Sequence, residues 1–292
     1  MVDQFLNYLR YEKNRSELTI KRYEKSLRQF QTFFEELCEG QTWETVDADI
    51  IRAWMENLMD KNYKATAVCA DLAAIRSFFR FALARGLVSR DPAYCVQGPK
   101  KQKPLPQFVK ESEMDKLLDD EGWGNDYKSV RARTIIILLY ETGLRRSELT
   151  GLDDQNVDLD ACMLKVTGKR NKQRIIPFGE EVRSQLETYI ALRDEQVERN
   201  SEALFVNKHG GRISPHEVYL IVKNKLSEVT TLKKRSPHVL RHSFATALLN
   251  HDAGLESVRQ LLGHESLETT EIYTHTTFDQ LKRVYKDAHP RG

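Results

Sequence analysis

The chain has 292 residues, 40% hydrophobic and 30% charged, and its 45 basic and 43 acidic side chains leave a net charge of +2. That length suggests about two domains, and that composition excludes a disordered, collagen-like or rod-like main state. The balance is no global polycation, so charge alone announces no nucleic-acid partner.

The longest apolar run, 134–140, is too short to cross a bilayer, and residues 1–10 carry Asp3 and Arg10 where a signal segment would be apolar. A cytoplasmic protein is expected. Its cysteines, Cys38, Cys69, Cys95 and Cys162, form no CxxC pair, a pattern of reduced thiols rather than of zinc ligands or a disulfide framework.

The first hundred residues read as helices. A short opening helix is expected near 2–11. From Ile20, apolar residues recur at Tyr23, Leu27, Phe30, Phe33, Phe34 and Leu37, the steps of three and four that build one helical face. Thr19 stands at its start and Gly40 just past its end. A helix after Asp47 carries Ile50, Ile51, Trp54 and Leu58. Another, from about Ala65 to Arg85, carries Val68, Leu72, Ile75, Phe78, Phe79 and Ala82 before Gly86. Together they make a small four-helix bundle.

The composition then changes. Residues 98–106, GPKKQKPLP, hold three prolines and three lysines, which block helix and extend the chain. They read as a linker between a domain over 1–97 and a second over 107–292. In the second, 131–140 reads as a buried helix ending near Gly143. Strands are expected at 157–159, 163–166 and 174–178, with 167–171 as the turn between the last two. Helix returns beyond Gly179 to about Arg199, and again from Ser214, Ser236 and Leu255.

Several polar residues stand where structure alone does not require them. Arg145 and Arg146 follow a Thr-Gly turn, with Glu148 close behind. Lys169 sits at the hairpin tip, in a stretch (165–174) that has five basic residues and no acid. His238, Arg241 and His242 interrupt an apolar helix, His238 and Arg241 sharing a face at i and i+3. His264 follows Leu-Leu-Gly, and Tyr273 lies in TTEIYTH. No HExxH, GxSxG, GxxxxGK[ST] or GxGxxG occurs, which argues against zinc, serine-hydrolase, ATP and dinucleotide chemistry.

Two arginines, a lysine, two histidines and a tyrosine are what metal-free attack on a phosphodiester requires. Forked guanidinium groups match phosphate oxygens and offset charge gathering on them. A tyrosine hydroxyl can form a covalent phosphoester. With a pKa of about 10, only about a thousandth of it is ionised at pH 7, so it needs a base or strong electrostatic help. The departing sugar oxygen needs an acid.

Four blocks in order, TGLRRSEL (142–149), TGKRNKQR (167–174), HVLRHSFATALL (238–249) and LLGHESLETTEIYTH (261–275), resemble the tyrosine site-specific recombinases of the phage-integrase type. The DAHPRG ending and the length are most like the Xer branch. The resemblance covers nearly the whole chain. It implies a mainly α protein: an N-terminal four-helix, SAM-like core-binding domain, and a mostly helical catalytic domain with a small antiparallel three-stranded sheet.

By the same resemblance, Arg145 and Arg241 hold the non-bridging oxygens of the scissile phosphate. Lys169 protonates the leaving 5′-oxygen, and His238 is acid and base toward the tyrosine. His264 hydrogen-bonds the phosphate, and Tyr273 attacks to give a 3′-phosphotyrosyl link. The bond energy stays in that link, so neither ATP, metal nor other cofactor is needed. Glu148 is expected to brace the arginine loop; Arg146, Arg170, Lys172 and Arg174 to contact backbone phosphates; His242 to lie on the helix surface. Phe244, Leu248 and Leu249 are expected in the core.

The implied partner is duplex DNA at a specific site, clamped between the two domains. Four protomers act on two duplexes through a Holliday junction. The segment 277–288, with its stripe of Phe278, Leu281, Val284 and Tyr285, is expected to seat in the neighbouring protomer. The implied task is resolution of chromosome dimers at cell division. An integrase or invertase of a mobile or phase-variable element, a type IB topoisomerase and a non-cleaving DNA-binding regulator are the alternatives. The sequence leaves open whether a related second recombinase joins the tetramer, and whether a DNA translocase of the FtsK type activates it.

Overall fold

The computed structural model describes residues 1–37, 40–101, 107–119, 122–168, 171–263, 284–285 and 287–291. The chain divides into two compact units, Met1–Pro104 and Leu105–Gly292.

In the first unit, α1 (Val2–Asn7) runs into a π-helical turn, Tyr8–Glu12, and is followed by α2 (Glu17–Leu37), α3 (Ala48–Asp60) and α4 (Ala65–Ala84). The sequence periodicity becomes burial: Ile20, Leu27, Phe30 and Phe34 of α2 are enclosed. Asp47 caps α3 by accepting hydrogen bonds from the amides of Asp49 and Ile50, each at 2.9 Å, and so satisfies two N–H groups that the helix itself cannot. Trp43, on the connection before α3, plugs the bundle. Its ring lies 4.4 Å from that of Phe78 and 5.0 Å from that of Phe34. Of the Pro/Lys stretch, 102–106 lie outside the described residues; Pro99 accepts a hydrogen bond from the Cys69 thiol of α4.

The second unit contains α5 (Glu111–Leu118), α6 (Tyr127–Thr142), α7 (Arg146–Thr150), β1 (Val157–Asp158), β2 (Met163–Thr167), β3 (Gln173–Pro177), α8 (Glu180–Gln196), α9 (Pro215–Val229), α10 (Pro237–Asn250) and α11 (Leu255–Leu262). Helix α6 is capped by Asp126 and buried on nearly every side from Val130 to Thr142, as a helix surrounded by others must be. It packs against α8, α10 and α9.

The strands form an antiparallel sheet of order β1-β2-β3, with Leu164 opposite Ile176 and Val166 opposite Arg174. Side chains alternate across a strand, so Arg174 shares the buried face with Leu164, Val166 and Ile176, while Lys165, Gln173 and Ile175 point outward. β1 is one residue shorter than expected, and β3 begins one residue earlier.

One expectation is corrected. Leu249, expected in the core, is 43% exposed on the last turn of α10. Of the stripe expected to seat in a neighbouring protomer, Val284 and Tyr285 pack on their own unit. Tyr285 and Ala288 are buried beside Phe244, Leu248, Val258, Leu261 and Leu262, with Val284 packed against them. The reason is polar as well as apolar. The Tyr285 hydroxyl donates to buried Glu141 at 3.1 Å, and Arg291 pairs with Glu181 and Asp119. Phe278 and Leu281 lie outside the described residues. Among the described residues, no helix is long and apolar enough to cross a membrane.

Candidate active site

Helix α6 stops at Gly143, whose φ of 60° is the left-handed conformation that closes a helix. A side chain would not fit there: a Cβ would lie 2.5 Å from Cδ1 of Phe244. The turn carries the chain through buried Leu144 to Arg145, the N-cap residue of α7. Glu148 of α7 reaches back in a capping box, accepting from the Arg145 amide at 2.8 Å and from Arg145 Nη1 at 2.7 Å.

Three guanidinium groups meet at the C-terminus of α11. Arg174 donates through Nε to the carbonyl of Leu261 at 3.1 Å. Arg241 donates through Nη2 to that of Leu262 at 2.6 Å, and through Nη1 to that of Gly143 at 2.6 Å. Arg145 donates through Nη2 to that of Gly263 at 3.1 Å. The last carbonyls of a helix have no partner within it, and they lie at the negative end of its dipole; three cations answer both needs. Gly263, with φ 61°, turns the chain away directly before His264.

One carboxylate tempers this charge. The Glu148 side chain is 2% exposed and also receives both Nη groups of Arg174, at 2.8 and 2.9 Å. Burial would push its pKa up, but the hydrogen bonds and charges of Arg174 and Arg145 outweigh burial and hold it at about 2. Arg241 is lowered to about 10 by burial and then by repulsion from Arg145; it stays protonated at neutral pH.

His238, at the exposed start of α10, has its pKa lowered, first by partial desolvation and then by the charges of Lys234, Arg146, Arg241 and His242. A neutral imidazole can accept a proton, so this surroundings suits a base. Ser243, one turn on, accepts from the Val109 amide at 2.8 Å and donates to the Val239 carbonyl, fixing α10 against the start of the unit.

The structure thus brings Arg145 and Arg241 onto adjacent carbonyls, with His238 in the same field of charge. Lys169, Arg170, His264 and Tyr273 lie outside the described residues. Their sequence neighbours Gly168 and Gly263 are described, and the Gly168 amide closes the hairpin on the Lys172 carbonyl at 2.7 Å. Arg146, Lys172 and His242 are exposed.

Arg174 departs from its expected place at a DNA phosphate: it is 8% exposed and turned onto Glu148 and Leu261. Sequence reasoning counted it within a basic stretch. The alternation of β3, with Arg174 in step with Ile176, was the signal that it points inward. Among the described residues, no group of three or more His, Cys, Asp or Glu could hold a metal ion.

Comparison with known proteins shows what the chain is similar to. The model "Phage integrase family" matches residues 107–280, and "Phage integrase, N-terminal SAM-like domain" matches residues 2–86. The chain is 38% identical to Tyrosine recombinase XerC of Natranaerobius thermophilus, over 99% of this chain and 98% of that protein. It is 35% identical to Tyrosine recombinase XerD of Oceanobacillus iheyensis, over 100% and 98%. Among solved structures, XerH recombinase bound to a palindromic difH substrate matches with a TM-score of 0.71 at 22% identity, covering 97% of this chain and 83% of that one. With family models matched over both units and relatives aligned along almost its whole length, the chain belongs to the phage integrase family of tyrosine recombinases.

Proposed function

We propose that the protein cuts and rejoins duplex DNA at a specific site through a 3′-phosphotyrosyl intermediate, and that its task is resolution of chromosome dimers. The observation that carries this reading is the pair of guanidinium groups seated on Leu262 and Gly263. Among the described residues, Arg145 and Arg241 each spend two N–H groups on protein acceptors. A guanidinium has five such groups in a fork, so both keep donors for a phosphate. Likeness to proteins named XerC and XerD supports the Xer task, and a related structure with a bound difH substrate supports duplex DNA as the partner.

In this reading Arg145 and Arg241 each take a non-bridging oxygen of the scissile phosphate and offset the charge that grows there in the transition state. The Tyr273 oxygen attacks phosphorus and passes its proton to His238. The bond to the 5′-oxygen breaks, and that oxygen takes a proton from Lys169. His264 donates to a phosphate oxygen. Arg146, Arg170 and Lys172 contact neighbouring phosphates. Rejoining runs the same steps backwards from a free 5′-hydroxyl, and four protomers exchange strands through a Holliday junction.

A nicked substrate whose 5′-hydroxyl fragment diffuses away traps the covalent stage. Wild type is expected to form an adduct mapping to Tyr273, and Tyr273→Phe to bind the site with none. An adduct on another tyrosine would overturn the assignment, and no adduct with wild type on its cognate site would overturn the reading.

A further inference from the structure

We propose that Arg174 is a positioning residue for strand cleavage, a common brace behind the groups that meet the phosphate; this rests on the recombinase reading above. Its guanidinium abuts the anchors of three candidate catalytic residues at once. It pairs with both oxygens of Glu148, which holds Arg145 by its amide and by Nη1. It donates to Leu261 at the end of α11 and lies against Gly263, where a Cβ would come within 3.2 Å of Arg174 Nη1 and Cδ. It also faces Gly168, where a Cβ would lie 3.7 Å from the same Nη1. In sequence, Gly263 precedes His264 and Gly168 precedes Lys169.

The charge balance says what the brace does. Glu148 is buried and ionised, and a buried carboxylate that loses a partner seeks another. At present Arg174 occupies it in the bidentate manner, and Arg145 gives it only Nη1 from its side chain. Without Arg174, the strongest remaining partner among the described residues is the fork of Arg145, since side-by-side pairing of guanidinium and carboxylate is favoured. Arg145 would then turn its donors to Glu148 and away from the phosphate. Arg174 therefore leaves Arg145 free to serve the substrate, although it touches no substrate atom itself.

The test compares wild type, Arg174→Met, Arg174→Lys and the double variant Arg174→Met/Glu148→Gln on two nicked duplexes. One carries the ordinary scissile phosphate, the other a methylphosphonate there, which lacks one negative oxygen. Adduct formation by wild type on the ordinary duplex tests the recombinase reading separately; its failure there would say nothing about Arg174. Given that adduct, Arg174→Met should cleave the ordinary duplex about 10²-fold more slowly, the cost of a lost oxyanion donor, while binding it as tightly as wild type does.

On the methylphosphonate the deficit should shrink by at least about tenfold, because less charge needs a guanidinium. The double variant should recover about tenfold on the ordinary duplex, because the unbalanced carboxylate is gone. Arg174→Lys, which keeps the charge and loses the fork, should fall between wild type and Arg174→Met. A residue that merely supports the fold would depress both duplexes equally, with no recovery in the double variant; that result would overturn the proposal. So would wild-type cleavage by Arg174→Met.

Discussion

Replacing Gly143 with alanine tests whether the turn after α6 sets the seat of Arg241. Two costs can be worked out. The φ of 60° places an L-residue in the left-handed region, at roughly 1–2 kcal/mol. The new methyl would lie 2.5 and 2.9 Å from two carbons of the Phe244 ring and 3.0 Å from Leu262 Cδ2. Phe244 is fully buried, so its ring cannot swing into solvent, and forcing a methyl into such packing costs about 1–3 kcal/mol. The sum is about 2–5 kcal/mol.

Calorimetry of the full chain should therefore show one transition lowered by roughly 4–20 °C, at ~2–4 °C per kcal/mol for a unit of this size. Phe244→Leu in the same chain makes room for the methyl but leaves the dihedral cost. The double variant should be less destabilised than the two single changes added together, by about 1–2 kcal/mol of coupling. Cleavage by Gly143→Ala should fall as well, since the Gly143 carbonyl is an acceptor for Arg241. A Gly143→Ala protein that melts within about 2 °C of wild type, or strict additivity in the double variant, would refute the reasoning.

The other predictions concern acidity and the leaving group. Burial raises Glu141 to about 8 from an ordinary 4.5, so its stabilising neutral form is fully present below 4.5 and lost as pH rises through 8. Burial lowers His289 to about 3 from 6.5, so its contribution is present above 6.5 and lost as pH falls through 3. Each slope is at most about 1.4 kcal/mol per pH unit. They oppose each other between 4.5 and 6.5, so unfolding free energy should be level there and decline on both sides; Glu141→Gln should abolish the decline from 6.5 to 8, and a persisting decline in denaturant titrations would count against the assignment. Lys169→Ala should lose about 10²–10⁴-fold in cleavage if the lysine is the general acid. A 5′-bridging sulfur, which leaves without a proton, should restore that variant and not Arg241→Ala; equal rescue of both would assign the lysine a charge role alone.

The helices of the first unit were legible because their apolar residues repeat at helical spacing, and Phe30 and Phe34 are buried as that spacing requires. Trp43 was not, since a residue on a connection has no periodic neighbours to mark it as core. The end of α6 was legible from Gly143, and the strand pair from the turn between them. Of the apolar stripe at 277–288, Tyr285 is covered by its own unit. Periodicity says that a face must be covered, not by which chain, and its acceptor Glu141 lies 144 positions away in sequence. At the site, the residue types of Arg145, His238 and Arg241 stood out as polar groups in apolar settings. Their seat did not, because it is made of backbone carbonyls, which are alike at every position.

The acceptors at Leu261, Leu262 and Gly263 belong to the backbone, so the genetic code cannot delete them by a single substitution. Leucine at 261 or 262 can drift to another residue of similar volume and still present the same oxygens to Arg174 and Arg241. The donors have no such latitude, since each is one particular side chain. The cationic centre is thus half hard-wired and half inherited letter by letter: a lineage can rewrite the apolar lining of this helix end while the charges it anchors stay in place.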